Sequence, residues 1–140
     1  MPTVTRWFVK LSLIYLVLAL VVGLGLVMQR VVGGPDWLAL LSPVYFHLFM
    51  VGWVTQLIFG VAHWMFPNYS KEAPRGREEL IWAALIALNT GLVLRVLAEP
   101  LAVREVGGFW GIVLVISATL QWVGVVLFSI NTWPRVRPRR

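Results

Sequence analysis

Three side chains lie where the sequence offers them no water: His47, His63 and Arg95. The two histidines fall in residues 37–70, which carry no charge, and the arginine in the apolar run 80–98. A neutral imidazole is a good ligand for iron. A guanidinium inside a bilayer needs an anion. Haem offers both partners, iron for the ring and propionate carboxylates for the guanidinium. His47 and Arg95 therefore read as a haem site, with His47 as the iron ligand and Arg95 holding a propionate. Arg30 and Arg104 fall at the same face and are expected to extend the propionate cradle more weakly. The residue types alone leave blander readings open. A membrane histidine can bond across helices for ~1 kcal/mol, and Arg95 can snorkel to head groups about a turn away.

His63 is a separate matter. It follows His47 by 16 residues, which on one helix is about 24 Å of rise and ~160° of rotation. The two rings cannot share one iron within a helix. Beside Trp64, His63 reads as an interfacial residue, with a second haem or proton uptake as the remaining roles.

The elements that must carry these side chains follow from composition. Of 140 residues 59% are hydrophobic and only 13% charged, and the mean hydropathy is +0.82. A soluble domain is ~25% charged. This chain lacks the polar surface for water and needs lipid as its solvent. There is no cysteine, which removes disulfides, iron–sulfur clusters, thiolate metal sites and covalent haem attachment through cysteine. The net charge of +6 sits at segment ends. It is read as topology and anionic head groups rather than nucleic acid.

Residues 11–29 are uncharged, long enough to span and longer than the apolar core of a signal peptide. Gly33-Gly34-Pro35-Asp36 breaks the chain. Pro43 suits a helix start, and Pro67-Asn68 a stop. The expected fold is all-α, a four-helix membrane bundle running up-down-up-down in a single domain, with helices near 7–29, 43–66, 79–99 and 108–133. Nine basic residues fall on one side: Arg6, Lys10, Lys71, Arg75, Arg77, Arg135, Arg137, Arg139 and Arg140. Only Arg30 and Arg104 fall on the other. The positive-inside rule then puts both termini in the cytoplasm of a bacterial inner membrane. Trp7, Trp64, Trp82 and Trp133 form one aromatic belt, and Trp37 and Trp110 the other. Trp53 and Trp122 lie between the belts and read as packing residues or the wall of a flat ligand. Gln56, Gln121, Thr55, Asn89, Thr90, Ser117 and Thr119 are expected to bond between helices. With Glu99 placed at the end of the third span, no intramembrane acid is expected, which argues against a proton-coupled transporter. A small multidrug-type transporter would also need a glutamate in the first helix, and residues 11–29 hold none.

The stretch 46–67, FHLFMVGWVTQLIFGVAHWMFP, resembles the second transmembrane helix of subunit I in the haem–copper oxidase superfamily, which includes the nitric oxide reductases. The likeness rests on His47 near one end, then Phe59-Gly60, the aromatic Trp64 and Phe66, and Pro67. It extends to short four-helix relatives of that subunit. It implies a low-spin haem b on His47. It carries over no copper site and no oxygen reduction, since no later histidine-rich helix is present. The sixth ligand stays open among Met28, Met50, a residue of another subunit, a symmetry-related His47, and none. The implied function is a b-type cytochrome that transfers electrons, or handles nitric oxide, next to a respiratory enzyme, as a homo-oligomer or a subunit of that complex. The alternative is a cofactor-free accessory or assembly subunit.

Overall fold

A backbone surrounded by hydrocarbon must satisfy its own N–H and C=O groups, and the helix does so within one segment. The computed structural model describes residues 1–68, 75–103 and 108–136. Most of these residues are helical, and no strand occurs among them. Four helices are long and apolar enough to cross a membrane: the first, Thr3–Gly33, the second, Asp36–Met65, the third, Glu78–Ala102, and the fourth, Phe109–Arg135. Lys71, Arg104, Arg137, Arg139 and Arg140, used above in the charge count and the cradle, lie outside the described residues.

The second helix is irregular. Tight 3₁₀ turns over Asp36–Leu41 precede an α-helical turn, Ser42–His47, with Pro43 at its start. Wide π-type turns follow over Leu48–Thr55, and a regular helix resumes over Gln56–Met65. Thr55 Oγ1 donates to the Met50 carbonyl five residues back, at 2.8 Å. Gly52 lies in this widened stretch. A Cβ there would meet the Tyr15 ring at 2.8 Å, so the missing side chain lets the first helix approach. Wide turns of this kind recur at functional sites, and this one begins directly after His47.

The third helix runs on past its expected end. Pro100 lies inside it. A proline removes one N–H and crowds the carbonyl four residues back, but one turn from a helix end little remains to be lost. Glu99 is therefore a helical residue facing the protein interior, 8% exposed. The expectation that no acid lies within the membrane region is overturned by that placement.

Packing divides into two apolar clusters. Val4, Phe8, Ile81, Ala84, Leu88 and Phe128 meet near the start of the first helix, where Phe59 stacks on Phe128 at 3.7 Å. Tyr15, Ala19, Val44, Leu48 and Leu92 meet toward the His47 end. Glycines set the closest approaches of the third and fourth helices, Gly91 against Ser117 and Gln121 and Gly124 against Leu88. Most large apolar side chains point outward, among them Val21, Ile58, Ile86 and Trp122. The exposure of Trp122 corrects its reading as a packing residue. The outward apolar surface is what a lipid solvent permits.

Candidate metal-ligating site

His47 sits at the last residue of the α-helical turn that begins at Ser42. Its Nδ1 lies 2.9 Å from the Pro43 carbonyl oxygen and 3.2 Å from Glu99 Oε1. Both neighbours are acceptors, so Nδ1 carries the hydrogen and donates. A neutral ring then presents a bare lone pair at Nε2, and no hydrogen bond to Nε2 occurs among the described residues. Phe46 stands edge-on to the ring at 5.7 Å.

Glu99 is the residue the sequence reading missed. Its Oε1 accepts from Arg95 Nε at 2.9 Å, one helical turn back, and from His47 across to the second helix. Its Oε2 is buried without a partner. An ion pair so placed costs desolvation as well as gaining attraction. The signal that could have found Glu99 was the i, i+4 spacing from Arg95, which supports a pair on one helix face. Arg95 itself was expected to reach a propionate or the head groups. It spends its Nε on Glu99, and its terminal nitrogens make no bond among the described residues.

Arg30 does not join this cluster. It lines a groove of about 420 Å³ with Leu24, Val27, Ser42 and Tyr45. Tyr45 and His47 are two residues apart, ~200° around the helix. The groove and the imidazole therefore lie on opposite sides of the second helix. Arg104 lies outside the described residues. Of the proposed sixth ligands, Met28 and Met50 are both exposed at 55% and 41%.

At the other end of the same helix His63 is 1% exposed. It is buried under Arg135. Arg135 Nη1 donates to His63 Nδ1 at 3.3 Å. Its Nη2 donates to the carbonyls of His63 at 2.9 Å and Phe66 at 2.8 Å, and its Nε to that of Pro67 at 3.1 Å. A helix end leaves its last carbonyls unpaired, and one guanidinium from the fourth helix satisfies that of His63 and those of Phe66 and Pro67 just beyond the end. Asn131, one turn earlier, accepts from the Arg77 N–H at 2.7 Å and donates to the Arg75 carbonyl at 3.1 Å. This holds the turn where Gly76 has φ +77°, a conformation that suits glycine.

Midway lies a polar node joining three helices. Tyr15 donates to Asn89 Oδ1 at 2.8 Å, and Gln56 and Asn89 exchange bonds of 3.3 and 3.1 Å. Ser117 donates to the Gly91 carbonyl at 2.7 Å. Gln121, Thr55 and Thr119 instead bond within their own helices, so only part of the expected interhelical set spans helices.

Among the described residues no group of three or more histidine, cysteine, aspartate or glutamate side chains is gathered for a bare metal ion. Compared with protein-family models, curated proteins and solved structures, the chain gives no match.

Proposed function

We propose that this chain is a membrane b-type cytochrome that binds haem through His47. The observation that carries the reading is the imidazole's orientation. With Nδ1 donating to Pro43 and Glu99, Nε2 is left as the ligating atom. A carboxylate on the far nitrogen fixes the tautomer and makes the ligand more basic. A bare ion would find too few protein ligands here, whereas a metal bringing four equatorial nitrogens of its own needs only one or two more. The donor set therefore fits haem. His47 would hold the iron, and the free terminal nitrogens of Arg95 would meet a propionate. Haem would supply one-electron redox chemistry and, with an open coordination position, gas binding. The chain's own contribution is to hold the ring, keep water away from one side of it, and anchor the negative groups.

The bundle is proposed to run up-down-up-down with both termini on the cytoplasmic side. The basic residues counted above support that orientation. The contacts His47–Glu99 and Gln56–Asn89, with Gly52 against Tyr15 and Gly60 against Phe8, support the alternation. The exposed Phe46 beside His47 leaves one side of the site for a second copy or a respiratory partner to cover. No oxygen reduction is assigned to the chain alone.

A second reading has its own support. His47 already has two protein acceptors, so the ring is satisfied without iron. The His47–Glu99–Arg95 set would then be an interhelical lock in a cofactor-free accessory subunit. Absorbance separates the two. Protein purified from haem-replete cells should show a Soret band that shifts on dithionite reduction. His47→Ala should abolish it while inserting in the membrane normally. A colourless wild-type protein, or equal haem in His47→Ala, overturns the cytochrome reading.

A further inference from the structure

The groove between the first and second helices is used by neither reading. Its wall is a stripe of the first helix, Leu20, Leu24 and Val27, at the i, i+4, i+7 spacing that lines one helix face for ~10 Å. Its floor is Gly23. A Cβ there would lie 2.9 Å from the Tyr45 ring, so glycine is what lets the aromatic face close against the stripe. Arg30 follows that stripe three residues beyond Val27, and Ser42 and Tyr45 line the groove from the second helix. Arg30 is exposed and forms no ion pair or hydrogen bond among the described residues; neither hydroxyl is hydrogen-bonded there. An apolar trough with a charged group at one end takes an amphiphile. The group that decides the head is the arginine, a permanent cation with fixed donor geometry suited to phosphate.

We propose that this groove holds an anionic phospholipid, one acyl chain along Leu20–Leu24–Val27 and its phosphate against Arg30. The site is independent of haem, because it faces away from His47. A neutral quinone would use the same trough but gain less from a fixed positive charge.

The probe is phosphatidylglycerol with a photoreactive diazirine in its acyl chain, added to the full chain in detergent. Crosslinks are located by peptide mass spectrometry. They should concentrate on residues 20–27 and exceed those of a matched phosphatidylcholine probe. In Arg30→Gln they should fall about fivefold, the effect of one basic residue near an anionic surface, while crosslinks elsewhere on the four helices stay constant. Leu24→Trp, which fills the trough and keeps the charge, should lower them too. Even crosslinking along all four helices, or an undiminished signal in Arg30→Gln, would mean ordinary surrounding lipid and overturn the site. Displacement by decylubiquinone at lower concentration than by unlabelled phosphatidylglycerol would overturn the assignment of the occupant.

Discussion

The two histidines of the second helix are held in opposite ways. His63 accepts a hydrogen bond at Nδ1 from Arg135, a group that only donates, so its ring carries its hydrogen on Nε2. His47 donates from Nδ1 to a carbonyl and a carboxylate, so its ring leaves Nε2 bare. As neutral rings the two carry opposite tautomers, set by whether a donor or acceptors stand beside the same atom. The arginine at one end closes a helix terminus. The glutamate at the other helps hold the hydrogen on Nδ1. A histidine's usefulness as a ligand depends on its second neighbour at least as much as on its depth.

The largest effect that sharpens this contrast is expected from Arg135→Ala. It strips three carbonyls and a ring nitrogen of their donor, and buried unsatisfied groups cost ~1–3 kcal/mol each. The melting midpoint in detergent should fall by about 10 °C. The haem spectrum, if His47 is the ligand, should not move. His63→Ala should follow the same pattern more mildly, because Arg135 keeps its carbonyl partners. A spectral change in either variant would tie the two ends together and break the division of labour.

Glu99→Gln probes the other end. The amide keeps the shape and removes the charge that orients His47. Haem should bind ~10–100-fold more weakly, as when outer partners of a metal ligand are changed, and the midpoint potential should rise because the imidazole becomes a poorer donor. Titration of apoprotein with haem and a potentiometric titration measure both. Unchanged affinity and potential would leave Glu99 a partner of Arg95 alone.

The smallest effect belongs to the node between the ends. Asn89→Leu removes the bonds from Tyr15 and Gln56, and membrane interhelical bonds are worth ~1 kcal/mol. A slight drop in thermal stability with an unaltered spectrum is expected. A large drop would mean that the two ends are coupled through the middle.

Much of the fold can be read in the residues themselves. Four apolar runs separated by Gly-Pro and charged breaks become four helices because hydrocarbon gives the backbone no other outlet. His47, Gln56 and Asn89 stand out by type. Arg135 and Glu99 did not, for one reason. Each lies near a segment end, where a charge normally reaches water, and nothing local marks it as buried. Arg135 looked like one more basic residue of the tail, and Glu99 like the edge of a loop.

The chain's apolar runs and their breaks determined that helices form and how many. Hydropathy is a local property, so the sequence carries it directly. The free nitrogen of His63 was decided by Arg135, 72 positions away, and that of His47 by the Pro43 carbonyl four residues back together with Glu99, 52 positions on. Such pairings depend on how helices rotate and slide against each other. The third helix's passage through Pro100 belongs to the same class. It turned an acid at the margin into the neighbour that orients the site.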